Sequence, residues 1–183
     1  AEASQARWLK GTPQGALDGV PAMIKENIAT QGVPVPLGTA ATELVPAAQD
    51  APPAARLREA GAVILGKTTM PDYGMLSSGL SSFHKLARNP WDTSKNPGGS
   101  SAGAGAASAA GYGPFHVGTD IGGSVRLPAG WCGLFGLKPS AGRIPDTCDP
   151  SLRAEAPPTM YHTTPPTTRT VAAAVRTATT RAN

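Results

Sequence analysis

The sequence has few charged residues, few aromatic residues and no long apolar run. Charged residues make up 15% of the 183 residues, aromatic residues make up 5%, and the formal net charge is +4. The Lys and Arg residues are scattered and not interleaved with aromatic residues, which argues against a nucleic-acid-binding protein. Because no apolar run reaches the roughly 18 residues that a membrane helix needs, we expect no membrane-spanning segment.

Cysteine and histidine are also scarce. The two cysteines, Cys132 and Cys148, form no Cys-x-x-Cys motif, and only three histidines are present. This gives little basis for a metal site. One disulfide stays open as an alternative, but two free thiols in a reducing compartment are favoured. The chain does not start with a basic segment followed by an apolar one, so we expect no signal peptide and a cytoplasmic location.

Glycine and proline are abundant, with 22 and 19 residues. This composition excludes a helical bundle and suits an enzyme with many loops lined by backbone. Helices alternate with short apolar strands in the predicted order, which indicates an α/β layer structure. The predicted elements are a helix over 1–10, a strand over 20–28, a helix over 52–60 capped by Asp50, a strand over 62–65, a helix over 100–110 and a strand over 115–117.

The end of the chain differs in composition. Residues 118–145 are predicted to be glycine-rich loop with short helical turns, whereas residues 159–183 are rich in Thr and contain no Gly. The apolar residues over 171–175 fit one face of a helix. We therefore divide the chain into a catalytic core over 1–145 and an atypical Thr/Pro-rich tail over 146–183, which we expect to pack less well.

One glycine-rich segment, Gly118–Pro128, carries a reactive serine. Glycine leaves no Cβ in the way and tolerates positive φ, so the N–H groups of Ile121, Gly122 and Gly123 can converge on one point. Such a nest can hold the oxyanion of a tetrahedral intermediate. Ser124, at the edge of the nest, is placed to attack a carbonyl bound there.

A serine nucleophile needs a base, which is most often a histidine. None of His84, His116 and His162 lies in an evident motif, and His116 sits in an apolar stretch that suits a hydrogen-bonded core residue. Lys25 is the alternative, since it interrupts the apolar segment that begins at Val20. Burial disfavours the ammonium form and lowers the pKa of a lysine, which can then act as a base.

Together with further motifs, these residues make the chain resemble the amidase signature enzymes. The similarity covers roughly residues 13–145 and runs, in order, through Gly19–Asn27, Gly66–Pro71, Pro97–Ser101, Gly118–Pro128 and Gly136–Arg143. The resemblance implies an α/β fold with a mixed central sheet flanked by helices on both faces. Family members are two to three times longer, so the chain is expected to hold a truncated part of that fold.

The resemblance also implies a mechanism. Ser124 matches the acylated nucleophile, Ser100 the relay serine that follows a cis peptide bond, and Lys25 the terminal base, with the nest around Ser124 as the oxyanion hole. An amide would be cleaved through an acyl-enzyme, with release of ammonia or an amine and without a cofactor or metal. Lys67 is expected to be structural and not a second base.

Other positions are expected to support the site. Ser101 either hydrogen-bonds to Ser100 or caps the helix that follows, and both readings stay open. Asp120 and Arg126 flank the nucleophile and are expected to form an ion pair that braces the loop, in preference to direct catalysis. Gly74 matches a family residue whose backbone carbonyl lines the substrate site.

Three functional readings follow. The first is an amidase acting on a small-molecule amide, and the segment Leu127–Cys132 favours this reading. A homodimer is one option for its full-length form. The second is the glutaminase subunit of a tRNA-dependent amidotransferase, which shares the triad but needs partner subunits. The third is an inactive fragment with a structural or binding role, a reading that only the chain length supports.

Overall fold

The computed structural model describes residues 1–140, 143–144 and 170–175. Among these residues it contains four α-helices and five strands. The helices are α1 Glu2–Leu9, α2 Pro52–Glu59, α3 Ala102–Ala110 and α4 Arg126–Trp131. The strands are β1 Pro21–Lys25, β2 Val63–Thr68, β3 Phe115–Asp120, β4 Phe135–Leu137 and β5 Thr170–Val175. Every helix and strand predicted within residues 1–117 is present, with small differences at the ends.

All five strands belong to one mixed sheet, in the order β2-β1-β3-β5-β4. Strands β2, β1 and β3 are parallel, whereas β5 runs antiparallel to both β3 and β4. In the central pair Ile24 lies beside Val117, so β1 and β3 end at the same edge of the sheet. Parallel strands bring their carboxyl-terminal residues together at one edge, and the chemistry-bearing segments follow at that edge.

Helices cover both faces of the sheet. On one face Ile24 and Val117 pack against Ala54 and Leu57 of α2, and together they form the hydrophobic core. On the other face α3 lies against β1, β2 and β3. This helix consists only of Ala, Gly and Ser, which allows close packing: a Cβ added to Gly103 would lie 2.4 Å from a backbone nitrogen of the chain after β2. The predicted α/β fold, with helices on both faces of a mixed sheet, is confirmed.

Helix α1 is present as predicted, but its apolar side chains are not buried. Leu9 is 81% exposed and Trp8 is 56% exposed. The helix is held instead by Arg7, whose guanidinium donates to both carboxylate oxygens of buried Asp18, and by the Trp8 indole, which donates to the Asp18 carbonyl. The Arg7–Asp18 ion pair therefore anchors this helix.

Two local predictions are wrong. Asp50 does not cap α2: the N-cap residue is Ala51, and the Asp50 carboxylate accepts hydrogen bonds from the Gln31 N–H and from Arg58 Nε. The stretch 171–175 is strand β5 and not a helix. The backbones of β3 and β4 offer ladder partners on both sides of it, and this tertiary pairing overrides the helix propensity of an alanine-rich segment.

The loop region expected over 118–145 also contains strand β4, which the sequence did not indicate. The expected poor packing of the tail falls on residues 146–169 and 176–183, which lie outside the described residues, as do Cys148 and His162. In the part of the chain that the structure describes, every helix is too short or too polar to cross a membrane.

Candidate active site

Lys25 is the last residue of β1, and its side chain is buried under the edge of the sheet. The residue is 1% exposed. Its Nζ donates to Ser100 Oγ at 2.7 Å and to Thr119 Oγ1 at 2.9 Å. Thr119 Oγ1 also accepts a hydrogen bond from Asn27 Nδ2 at 3.1 Å. The lysine thus connects the end of β1 with the serine segment and with the end of β3.

Ser100, the hydrogen-bond partner of Lys25, is buried among closely packed residues. The Gly99–Ser100 peptide bond is cis, as the resemblance implied, and Ser100 is 5% exposed. Gly74 lies close to the serine: a Cβ added there would lie 3.3 Å from Ser100 Oγ and 3.0 Å from Met70 Cε. Gly74 also has φ +73°, which side-chain-bearing residues rarely adopt. Both restrictions favour glycine at this position, beside the hydroxyl.

The loop that carries Ser124 is organised by Asp120, the last residue of β3. The buried Asp120 carboxylate accepts hydrogen bonds from the N–H groups of Gly123 at 2.7 Å, Val125 at 3.1 Å and Arg126 at 3.2 Å. It also binds the Arg126 guanidinium, at 3.0 Å from Nε and 2.9 Å from Nη2. The structure therefore brings Asp120 and Arg126 together as the predicted ion pair, which braces the loop that carries Ser124.

These contacts determine the charge of the pair. Burial alone raises the pKa of Asp120, but the hydrogen bonds from the Arg126 guanidinium and from the loop N–H groups outweigh it and hold that pKa well below its usual range. The same bond and the negative charge of Asp120 raise the pKa of Arg126. Both groups are therefore charged near neutral pH, which suits a brace and not a proton donor or acceptor.

The predicted oxyanion nest has two different parts. The Gly123 N–H is occupied by Asp120, as described above. Ile121 and Gly122 line the pocket next to Ser124, and among the described residues no acceptor takes their N–H groups. A Cβ added to Gly122 would meet nothing within 4 Å, so the space in front of this residue is open. The geometry thus offers Ile121 and Gly122 as the donors facing the pocket.

Ser101 is the N-cap residue of α3, which agrees with one of its two predicted readings in position but not in bonding. No side-chain cap bond forms at the start of α3, and the Ser101 hydroxyl instead bonds to Thr119, accepting from its N–H at 3.3 Å and donating to its carbonyl at 3.2 Å. The Ser101 N–H donates to the Ser124 carbonyl at 3.0 Å. Ser101 therefore fastens the segment that carries Ser100 to β3 and to the loop that carries Ser124.

These residues border a pocket of about 330 Å³. Its polar lining residues are Lys25, Asn27, Ser77, Ser100, Thr119 and Ser124. Its apolar lining residues are Met70, Tyr73, Met75, Leu76, Ile121 and Leu127. A pocket with a few convergent polar groups and an apolar wall is typical of small-molecule sites. The described residues contain no group of three His, Cys, Asp or Glu side chains arranged to hold a metal ion.

His116 is a core residue, as predicted. It is fully buried, and its Nδ1 accepts a hydrogen bond from the Met23 N–H at 3.1 Å. Burial lowers the pKa of the imidazole, which favours its neutral form. Its place in the interior of β3 keeps it out of the pocket.

Lys67 and Cys132 are structural in their contacts. Lys67 Nζ donates to the Ile28 carbonyl and to Thr30 Oγ1, which ties the segment after β1 to β2. Burial lowers the pKa of Lys67 to about 8 against the opposing effect of nearby carboxylates. Cys132 is a free, buried thiol beside the Pro97 carbonyl, and burial raises its pKa to about 11. Lys67 does not line the pocket, which agrees with the structural role predicted for it.

Two residues of the site had no role in the sequence reasoning. Asn27 and Thr119 both lie inside the motifs that carry the resemblance, but only the folded chain shows that their side chains meet beside Lys25. Their positions in the sequence could have indicated a role in the site. Asn27 follows Lys25 by two residues, and Thr119 directly precedes Asp120. A polar residue next to a buried base is a candidate for orienting that base.

Comparisons with known proteins point to one family. A family model described as Amidase matches residues 1–180. A subunit of the glutamyl-tRNA(Gln) amidotransferase of Anaeromyxobacter dehalogenans (strain 2CP-C) is 45% identical over 144 residues, which cover 79% of this chain. The chain spans 29% of the length of that relative.

Solved structures of amidases share the fold. A bacterial aryl acylamidase of the amidase signature family aligns with a TM-score of 0.73 and 36% identity, covering 81% of this chain and 31% of its own. The native peptide amidase of Stenotrophomonas maltophilia aligns with a TM-score of 0.68 and 32% identity, covering 73% of this chain and 28% of its own. The matched part is in each case about a third of the solved chain or less.

Proposed function

Because this chain belongs to the amidase signature family, we propose that it supplies the catalytic centre of an amidohydrolase that cleaves a carboxamide C–N bond through an acyl-enzyme on Ser124. The observation that carries the proposal is the buried 2.7 Å contact between Lys25 Nζ and Ser100 Oγ. Both side chains border the pocket that Ser124 also borders. A nucleophile, a relay and a base on one pocket are what acyl transfer from an amide requires.

The proton path follows the order of these residues. The neutral amine of Lys25 accepts the proton of the Ser100 hydroxyl while Ser100 accepts the proton of Ser124. Ser124 Oγ then forms a bond to the amide carbonyl carbon, and the carbonyl oxygen takes the negative charge. The N–H groups of Ile121 and Gly122 stabilise that charge, since preorganised donors act most strongly in a pocket that excludes water.

Collapse of the tetrahedral intermediate completes acylation. The C–N bond breaks, and the leaving nitrogen takes back the proton that the relay had stored on Lys25, so ammonia or an amine departs. Water then attacks the ester carbonyl carbon and gives up its proton to Lys25 along the same path. The Ser124 Oγ–acyl bond breaks, the carboxylic acid departs, and Ser124 takes the proton back from the relay. Asp120, Arg126 and Ser101 hold the loop in place through the contacts described, and Gly74 leaves room beside Ser100.

A second candidate is the glutaminase subunit of a tRNA-dependent amidotransferase. It is supported by the 45% identity to the glutamyl-tRNA(Gln) amidotransferase relative. The apolar lining residues Met70, Tyr73, Met75 and Leu76 instead favour an uncharged acyl group and hence the general amidase reading. An inactive fragment is the reading of another class, and the presence of all three residues of the relay argues against it.

Intact-mass analysis with a serine-reactive fluorophosphonate tests the assignment. The protein at its full natural length should gain one adduct, and the Ser124→Ala variant should gain none. Equal labelling of both proteins would remove Ser124 as the nucleophile. Ammonia release from glutamine, compared with release from a panel of aryl and alkyl amides, then separates the amidotransferase reading from the amidase reading.

We also propose bounds for the catalytic core, a cellular location and an oligomeric state. We place the catalytic core at residues 1–145 and the tail at 146–183. A cytoplasmic location and a homodimer in the full-length form complete the proposal, with a small-molecule amide as the ligand and neither nucleic acid nor membrane as a partner. Sedimentation analysis of the full-length protein tests the dimer, and cell fractionation tests the location.

A further inference from the structure

Glu26 has a buried side chain for which the proton relay has no use. The residue is 2% exposed and directly follows Lys25 in the chain. A carboxylate removed from water is costly unless hydrogen bonds or opposite charges compensate it. The partners of this carboxylate therefore indicate why it is retained beside the active site.

Each oxygen of Glu26 binds a different end of one segment. Oε1 accepts a hydrogen bond from the Met70 N–H at 3.0 Å, and Oε2 lies 2.6 Å from His84 Nε2. Residues 70–84, which we call the wall segment, run between these two contacts. A single side chain at the end of β1 thus holds both ends of a segment that begins 44 residues further along the chain.

The wall segment contributes one side of the pocket. Tyr73, Gly74, Met75, Leu76 and Ser77, all within it, line the space beside the relay serine. The segment is also closed on itself, since the Asp72 carboxylate accepts hydrogen bonds from the Ser82 N–H and hydroxyl. A closed segment held at both ends keeps its shape, so the position of its apolar residues depends on the Glu26 anchor.

We propose that Glu26 is a positioning residue for substrate selectivity, acting through Met70 and His84 to hold the wall segment against the acyl group of the substrate. This inference rests on the proposed function. A bulky acyl group reaches the wall residues Met75 and Leu76 and therefore depends on the anchor. A small acyl group needs only the relay and Ser124, and its reaction is independent of the anchor.

The test compares two fluorophosphonates, one with a methyl and one with a long alkyl substituent, on the full-length protein and on His84 variants. His84 is only partly buried, so its replacement leaves the interior packed. His84→Leu removes the donor to Glu26, and His84→Gln keeps an N–H donor in its place. Labelling of Ser124 as a function of probe concentration gives the maximal rate and the half-saturating concentration separately.

We expect His84→Leu to raise the half-saturating concentration of the long-chain probe about tenfold, in line with the loss of one charge-assisted hydrogen bond. The maximal rate and the reaction of the methyl probe should stay unchanged, and His84→Gln should restore binding of the long-chain probe. An equal effect on both probes, no effect on either, or no rescue by Gln would overturn the proposal. If His84→Leu does not fold, judged by its thermal unfolding, His84→Ala makes the same comparison.

Failure of this proposal is distinguishable from failure of the proposed function. If wild-type protein is not labelled at Ser124 by the methyl probe, the nucleophile assignment is wrong. If the methyl probe labels Ser124 normally but the long-chain probe is insensitive to His84, only the role of Glu26 is wrong.

Discussion

Lys25 Nζ lies 2.7 Å from Ser100 Oγ, although 75 residues separate the two in the chain. The contact exists because parallel β1 and β3 end at the same edge of the sheet and α3 begins above them. The amine and the hydroxyl are both buried, so solvent does not compete for this hydrogen bond. The function proposed for the chain depends on this one geometric relationship.

Thr119 is expected to orient Lys25, the proposed base. Thr119→Val removes the hydroxyl that accepts a hydrogen bond from Lys25 Nζ, and a lost buried hydrogen bond of about 1–2 kcal/mol corresponds to a rate reduction of roughly tenfold. The rate of Ser124 labelling by a fluorophosphonate measures the effect. Thr119→Ser keeps the hydroxyl and should label at nearly the wild-type rate. A Thr119→Val variant that reacts as fast as wild type would contradict the role.

Asp120 should make the free energy of unfolding decrease at acidic pH. Its folded pKa lies below the unfolded value of about 3.9. Its contribution is therefore fully present above that unfolded value and is lost as the pH falls through the folded pKa. Asp120→Asn should lower the free energy of unfolding by about 2 kcal/mol at pH 7, since hydrogen bonds to a charged group are lost. Urea unfolding at a series of pH values measures this.

The difference between wild type and Asp120→Asn should shrink once the pH falls below about 4. A difference that is constant from pH 7 to pH 3 would show that the carboxylate charge has no part in stability. Arg126→Leu is the matched comparison at pH 7. Its effect should be smaller, because the Arg126 side chain is 52% exposed and its ion pair is partly screened by solvent.

Close packing of α3 predicts a large effect of a single methyl group. Gly103→Ala would place a Cβ 2.4 Å from the Thr69 backbone nitrogen, so the helix must move away from the sheet. Overpacking of this kind costs about 1–3 kcal/mol. Gly130→Ala in α4 is the control, since nothing lies within 4 Å of its added Cβ. It should be neutral or stabilising by about 0.5–1 kcal/mol. Thermal unfolding measures the melting temperature of both variants. Equal melting temperatures for Gly103→Ala and Gly130→Ala would refute the packing argument.

Cys132 should be unreactive in the folded protein. Burial raises its pKa to about 11, so at pH 8 only about one thiol in a thousand is the reactive thiolate. In a Cys148→Ser background, an aromatic disulfide reagent should modify Cys132 slowly in buffer and at least 100-fold faster in denaturant, where the pKa returns to about 8.5. Rapid modification in buffer would mean that this thiol is accessible.

The fold could be predicted where the pattern is local. The helices α2 and α3 and the strands β1, β2 and β3 follow from apolar runs, small-residue runs and the Gly and Pro residues between them. The prediction fails at 171–175, where a helix was expected and strand β5 is found. Those residues pair with β3 and β4, which lie far away in the chain, and a pattern within a few residues carries no information about such partners.

The candidate site divides in the same way. The sequence by itself determined the local surroundings of the three central residues. Lys25 ends an apolar strand, and Ser100 and Ser124 each follow two glycines. Neighbouring residues encode such local burial and backbone freedom. Only the tertiary structure decided that Thr119 and Asn27 meet Lys25, that Asp120 occupies the Gly123 N–H, and that Glu26 reaches both Met70 and His84. These contacts join distant segments, and their geometry depends on how the sheet and helices pack.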